Sequence, residues 1–269
     1  RYRWRVKVWT SSFTSADDSA DDSADDSVDD SVDDSMQCES EWSEWSTIVT
    51  APFDGFQNTT QPIWTAPLAN GTKAAFFTLH RYVIPKFASP VIHATAFVTA
   101  RQEAKLLGAY KLRINGVVAG IGPGRGDTPT NQTPYDSIDV SNYFITSAYS
   151  SDDSIVLGLQ CYSLNGSGAV LLEVHLEHEN GETSIVATGQ GRGWMSFDAT
   201  QAYGGLNTSL EGSYKAPQEN QDANLLPYKW STSGYVPTSD WTPSRAVATF
   251  KSYPKTTLSL NVTEGFQPS

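Results

Sequence analysis

The sequence predicts an all-β protein: an antiparallel, jelly-roll-like β-sandwich with long loops and a disordered, acidic N-terminal tail. Apolar and polar residues alternate through much of the chain, as in Tyr110–Ile114, which is the period of a half-buried strand. Asn115-Gly116 and Asn180-Gly181 follow such segments, and Asn-Gly favours a tight hairpin turn. No stretch longer than a turn or two has a helical period, whereas 20 Gly and 14 Pro suit a turn-rich β protein.

The composition divides the chain into a tail at 1–46, a folded body at 47–250 and a linker at 251–269. Within the tail, residues 16–35 repeat Ala/Val-Asp-Asp-Ser, a tract that has little to bury and whose like charges repel. We therefore expect the tail to be disordered and to act as a solvated spacer. Trp42 and Trp45 follow the repeat and are expected to pack on the body or to be unstructured, with a sugar platform as the alternative.

Within the body, the strand periods are clearest in five segments. We predict strands at Ala75–Ile84, Val91–Ala100, Tyr110–Ile114, Ser154–Tyr162 and Ala169–His178. After the first Asn-Gly turn the return strand begins at Val117, and order resumes at Tyr135–Val140. A further return strand is predicted at Thr183–Thr188, after the second Asn-Gly turn. The remainder of the chain is predicted to be loop-rich.

Charge and hydropathy exclude two classes of partner. The net charge is −12, there is no basic stripe, and nucleic acid is therefore not an expected partner. No apolar run approaches the roughly 20 residues that span a bilayer, so no membrane partner is expected. The first residue is Arg1, and because Arg1–Trp9 lacks a long apolar core we do not expect it to be a signal peptide; either processing removed one, or the chain is a fragment or an imperfect gene model. Six glycosylation sequons nevertheless favour a secreted glycoprotein. They are at Asn58, Asn70, Asn131, Asn165, Asn207 and Asn261.

Three motifs in order carry a resemblance to a known family. Residues 108–116 read G-x-Y-x-L-x-I-N-G, residues 120–124 read G-x-G-P-G, and residues 135–140 read Y-D-x-x-D-V. This order and spacing resembles the N-terminal β-sandwich domain of bacterial and eukaryotic α-L-rhamnosidases. The resemblance extends over about residues 60–250, through Trp64, Gly193-Trp194 and the segments Glu219–Ala223 and Ser239–Pro243. It departs from the family at Asn224, where an Arg is usual.

The resemblance implies a non-catalytic accessory role. In the family, catalysis takes place in a downstream (α/α)6 barrel that inverts configuration, which requires two carboxyl groups with room for water between them. This chain has no long helical pattern, and Asp198, Glu219, Asp222 and Asp240 lie in predicted turns. We expect the chain alone not to cleave glycosides, to use no cofactor or metal, and to partner the catalytic barrel of the same enzyme, ending in a linker before it.

The first alternative is a self-standing, lectin-like carbohydrate-binding module. Aromatic rings stack on the C–H face of a sugar, and planar polar groups hydrogen-bond its hydroxyls. Candidate contacts to rhamnosides or other glycans are Tyr110, Asn115, Trp194 and Tyr203, although for each residue taken singly a structural role is favoured. A second alternative is an adhesion ligand that uses the tripeptide Arg125–Asp127.

Of the two cysteines, Cys161 lies on an apolar strand face and is expected to be a buried free thiol.

Overall fold

In a computed structural model the chain separates into two compact units, residues 1–50 and residues 51–269. The ranges described below are 2–11, 37–43, 46–48, 56–57, 59–65, 77–102, 108–123, 135–145, 154–163, 168–203 and 221–247.

The first unit contains two short antiparallel strand pairs. Strand β1 (Tyr2–Trp4) pairs with β4 (Ser46–Ile48), and β2 (Trp9–Ser11) pairs with β3 (Gln37–Glu39). The expectation of a disordered tail rests mainly on the repeat between β2 and β3. The Asp-Asp-Ser repeat and Trp45 lie outside the described residues. The guanidinium of Arg5 lies 4.3 Å from the ring centroid of Trp42, so a cation already occupies one face of this indole.

The second unit is a sandwich of two antiparallel sheets, which confirms the predicted fold class. The first sheet consists of β5 (Ile63–Trp64), β7 (Val91–Gln102), β10 (Asp136–Asp139), β12 (Gly168–His178), β13 (Thr183–Ala187) and β16 (Arg245–Ala246). Its strand order is β10-β7-β12-β5-β16, with β13 also paired to β12. Within the described residues, one short helix, α1 (Ser141–Ile145), follows β10. None of the helices in these ranges is long and apolar enough to cross a membrane.

The second sheet consists of β6 (Phe77–Ile84), β8 (Ala109–Ile114), β9 (Val117–Gly122), β11 (Ile155–Tyr162), β14 (Met195–Asp198) and β15 (Thr242–Pro243). Its strand order is β15-β14-β6-β11-β8-β9. The Asn-Gly turn between β8 and β9 is confirmed, because Asn115 and Gly116 have φ of 49° and 87°. Strand β9 is at the sheet edge, which explains how a segment so rich in Gly is accommodated.

The main core lies between the two sheets. Alternate residues of β12, Val170, Leu172, Val174 and Leu176, are fully or almost fully buried, as their period predicted. From the opposite sheet, β8 and β11 contribute Leu112, Ile114, Leu157, Leu159 and Cys161. Cys161 is a free buried thiol, as expected, and burial raises its pKa. It therefore acts as a small apolar core residue rather than as a nucleophile.

The buried carboxylate of Glu173, on β12, anchors the segment that contains Gln57 and Thr60 to the first sheet. Glu173 Oε1 accepts hydrogen bonds from the Gln57 amide at 2.6 Å and the Thr60 hydroxyl at 2.5 Å, while Oε2 lies 2.8 Å from His175 Nε2. Burial alone raises the pKa of Glu173, but contacts with His175, Thr60 and Gln57 outweigh burial and leave that pKa below its ordinary value. Glu173 is thus a structural anion, fully satisfied within the protein.

A buried histidine links the second sheet to the chain that follows β15. His80 Nε2 shares a hydrogen bond with the Thr78 hydroxyl at 2.9 Å, and Nδ1 shares one with the Ser196 hydroxyl at 2.8 Å. Ser196 in turn lies 2.5 Å from the Ser244 hydroxyl. His80 is 0% exposed, and burial lowers its pKa to about 3. No substrate could reach this Ser-His pair, so its role is structural.

We expect this histidine to make the protein sensitive to mild acid. The pKa of His80 is below its ordinary value of 6.5 in the folded protein, so the unfolded chain binds one more proton between about pH 6.5 and 3. The free energy of unfolding should therefore fall by about 2 kcal/mol between pH 7 and pH 5. Urea unfolding at several pH values measures this change. In His80→Gln the pH slope should diminish, and an unchanged slope would show that other groups cause it.

Candidate functional site

Two of the four predicted sugar contacts are core residues. Tyr110 is 1% exposed and its hydroxyl donates to the Asp136 carboxylate of the opposite sheet. Burial and the neighbouring Asp136 both raise the pKa of Tyr110. Trp194 is also 1% exposed; its Nε1 donates to the Ala187 carbonyl at 3.0 Å, and its ring stacks on Tyr82 at a centroid distance of 5.3 Å. Neither ring has a face open to a sugar, and both side chains occupy structural positions in the core.

The other two predicted contacts also have structural partners. Tyr203 is buried, with its ring stacked on Phe77 at a centroid distance of 3.8 Å, so this ring is not a sugar platform either. Asn115 forms the turn, where its Oδ1 accepts from the Val156 amide at 2.8 Å. Its backbone amide donates to the Val156 carbonyl at 2.9 Å. Alternation placed Tyr110 on a strand and the Asn-Gly pair placed Asn115 in a turn, but neither pattern shows which face of a sheet other segments cover.

Several other predicted features fall outside the described residues or have local roles. All six sequon asparagines, the Arg125–Asp127 tripeptide and Glu219 lie outside the described residues. Asp198 Oδ1 accepts from the Thr200 amide, and Asp222 Oδ1 accepts from the Asn224 amide, each at 2.9 Å. These two carboxylates therefore cap turns. Within the described ranges, no group of three or more His, Cys, Asp and Glu could hold a metal ion.

The outer face of the second sheet carries a second apolar core that the sequence did not predict. Segment 221–241 and the 3-10 turn Thr200–Tyr203 cover part of this face. Their buried residues include Trp230 and Trp241, which pack with Phe77 and Leu79 of β6. Trp241 Nε1 donates to the Tyr235 hydroxyl at 2.8 Å. The clustered tryptophans of this segment were a signal for a covered face, since Trp rarely lies free in a loop.

Arg81 attaches this covering segment to the sheet. It is 5% exposed, and its Nε donates to the Trp230 carbonyl at 2.9 Å. Its Nη2 donates to the carbonyls of Thr232 and Tyr235 at 3.0 and 3.2 Å. On β11, Gly158 is paired with Arg81 of β6. A Cβ added to Gly158 would be 2.8 Å from Ser231 and 2.9 Å from the Trp230 ring. The absence of a side chain at Gly158 thus allows the segment to approach the sheet closely.

Beyond this cover, the outer face of the sheet carries described side chains that are half-buried or exposed. We call this part the polar shelf and define it by Lys111 and Arg113 of β8, Gln160 of β11, and Val118 and Ile121 of β9. Strand pairing places Lys111 directly opposite both Gln160 and Ile121, and places Arg113 opposite Val118. Opposed side chains on such strands are about 5 Å apart. Ile121 is 65% exposed, whereas Lys111, Arg113 and Gln160 are half-buried.

Gln160 and Arg113 of the shelf each donate one side-chain hydrogen bond within the protein, which orients the side chain and leaves it further donors. Gln160 Nε2 donates to the Tyr203 hydroxyl at 2.5 Å, which orients the amide at the boundary with the cover. Arg113 Nη1 donates to the Gly116 carbonyl at 3.0 Å, using one of the five guanidinium donors. Burial raises the pKa of Tyr203, opposed by nearby Arg113 and Gln160. Among the described residues, no carboxylate pairs with Lys111 or Arg113.

Fold and site together define a β-sandwich module with a covered aromatic face and a polar shelf. No protein-family model matches the sequence, and no curated protein matches it. Among solved structures, the chain is similar to an α-L-rhamnosidase from Dictyoglumus thermophilum at 15% identity and a TM-score of 0.53, covering 79% of this chain and 24% of that one. An α-L-rhamnosidase from Aspergillus terreus is similar at 12% identity and a TM-score of 0.52, with 78% and 24% covered.

These similarities establish a shared sandwich fold, and the chain spans about a quarter of each enzyme's length. A lectin from Pleurotus ostreatus, solved in complex with GalNAc, is similar at 14% identity and a TM-score of 0.41, covering 72% of this chain and 43% of the lectin. At that TM-score the lectin carries no argument about this protein.

Proposed function

We propose that this chain is a non-catalytic accessory β-sandwich of a secreted glycoside hydrolase of the α-L-rhamnosidase type. The observation that carries the proposal is the agreement in fold with two α-L-rhamnosidases over 79% and 78% of the chain, set beside 24% coverage of each enzyme. The three ordered motifs within residues 108–140 support it from the sequence. Release of terminal L-rhamnose from glycosides would then be the activity of the full-length enzyme.

The chemistry of the described residues is consistent with an accessory role. Asp198 and Asp222 cap turns, Asp136 is bonded to Tyr110, and Glu173 is satisfied by three partners. An inverting glycosidase instead needs two carboxyl groups about 6.5–9.5 Å apart across an open cleft. The partner that supplies this pair is, in our proposal, a helical barrel domain of the same enzyme.

An assay on an aryl α-L-rhamnoside tests the proposal. We expect no hydrolysis by the 269-residue chain and clear hydrolysis by the natural gene product, obtained by following the reading frame past Ser269. Full activity in the isolated chain would contradict the accessory role. So would a natural product that contains no glycosidase domain or that has no activity on rhamnosides.

A carbohydrate-binding module is the second candidate function, and the polar shelf is the observation that favours it. The shelf combines an oriented amide, two cations and exposed aliphatic side chains on a rigid sheet. Rigid polar groups beside apolar surface are the usual elements of a ligand site. Both functions are compatible in one protein, because an accessory domain of a glycosidase can also hold part of the glycan.

A further inference from the structure

We propose that the polar shelf binds a carboxylate-bearing sugar, a uronic acid within an oligosaccharide. This inference rests on the proposed function, since it names the ligand class of an accessory glycan-contacting module. It depends on how Lys111, Arg113 and Gln160 are placed relative to Ile121 and Val118.

The charge of the shelf identifies the ligand as an anion. Lys111 and Arg113 are two residues apart on β8, so both project from the same face of the sheet at a spacing of about 7 Å. The chain has 30 acidic and 18 basic residues, yet no described carboxylate neutralises either cation. A guanidinium fork and an ammonium group at this spacing can hold one carboxylate between them.

The surroundings of the two cations favour a sugar over a simple anion. Next to Lys111, Gln160 offers a planar amide whose orientation is set by the Tyr203 hydroxyl, and such groups pair with sugar hydroxyls. On the other side, Ile121 is 65% and Val118 39% exposed, so the shelf offers an apolar surface to the C–H face of a pyranose ring. A small inorganic anion would use the cations and leave both of these features without a role.

The shelf is also rigid. Strand β8 pairs with β11 and β9 along its length, and its alternate residues Tyr110, Leu112 and Ile114 are buried in the main core. Sites on strands hold their side chains more precisely than sites on loops. Little ordering of the protein is therefore needed on binding, which reduces the entropy lost by the complex.

Calorimetric titration of the 269-residue chain with trigalacturonate tests this inference. We expect saturable binding that weakens with added salt, because the ion pairs are at the surface. The fully methyl-esterified trimer keeps the rings but loses the charges, so it should bind at least ten-fold more weakly. Sodium sulfate at matched ionic strength and a hexa-aspartate peptide serve as non-sugar anions, and neither should bind comparably.

Two variants and a matched control locate the site. Lys111→Gln and Arg113→Gln should each weaken trigalacturonate binding about ten-fold or more, whereas Lys86→Gln, which removes an exposed cation elsewhere, should not. The Lys111 side chain has no hydrogen bond to the described residues, and its backbone pairing in the sheet does not depend on the side chain, so its variant should fold normally, as circular dichroism can verify. Absence of binding, equal binding of the ester, equal binding of the peptide or sulfate, or an equal loss in Lys86→Gln would each overturn the inference. None of these outcomes bears on the rhamnoside assay, which tests the accessory role separately.

Discussion

Replacing Trp194 with alanine is expected to lower the free energy of unfolding by about 3–5 kcal/mol, the range for removing a large aromatic side chain from a core. The indole is 1% exposed, stacks on Tyr82 and donates to the Ala187 carbonyl at 3.0 Å. Alanine would leave a cavity and also an unpaired carbonyl. Urea unfolding followed by circular dichroism measures the loss.

The matched control is Trp42→Ala, which removes an indole that is 45% exposed. Because this indole loses only a surface contact with the Arg5 guanidinium, the change in stability should be at most about 1 kcal/mol. If Trp194 were instead a sugar platform, its alanine variant would keep normal stability and lose only glycan binding. That result would contradict the structural role assigned to it.

Replacing Arg81 with methionine is expected to destabilise the protein by about 2–4 kcal/mol, because three carbonyl oxygens lose their donor. Nε and Nη2 of Arg81 bond the carbonyls of Trp230, Thr232 and Tyr235 at distances of 2.9–3.2 Å. Methionine restores most of the side-chain volume but donates no hydrogen bond. The covering segment should loosen before the sandwich unfolds, since its attachment is local.

Hydrogen exchange distinguishes this local effect from a general loss of stability. Amides of the segment such as Thr232, which donates to the Lys229 carbonyl at 3.0 Å, should exchange faster in Arg81→Met. Amides of β12, in the other sheet, should change less. Arg81→Lys keeps the charge but not the fork of donors, and should recover only part of the protection. An exposed control, Arg245→Met, should have no effect on the segment. Equal exchange in Arg81→Met and the wild type would show that the segment does not depend on Arg81.

Local patterns predicted much of the sandwich correctly. The strands at Val91–Gln102, Ile155–Tyr162 and Gly168–His178 differ from their predicted bounds by one or two residues. Period-two alternation identified the core face of β12 because Val170, Leu172, Val174 and Leu176 are all apolar, whereas the other face includes Glu173, His175 and Glu177. Strand β14, at Met195–Asp198, was missed since four residues are too few for a period to be visible.

The sequence left the roles of the candidate sugar contacts open for a physical reason. Tyr110 and Tyr203 have the chemistry of a sugar contact, but aromatic residues serve equally well in cores, and only burial distinguishes the two roles. Lys111 and Arg113 appeared in the sequence merely as the polar half of an alternation. Their placement opposite Gln160, Ile121 and Val118 depends on strand pairing between segments up to about 50 residues apart in sequence.

The sequence by itself determined the β class, the Asn-Gly turn and the apolar faces of β8, β11 and β12, because these depend on neighbouring residues and on local backbone preferences. Only the tertiary structure decided that Trp194 is buried, that Arg81 holds segment 230–235, and that Lys111 lies opposite Gln160 and Ile121. Which face is covered depends on how distant segments pack. That packing follows from the total apolar area that the whole chain can bury rather than from any local pattern.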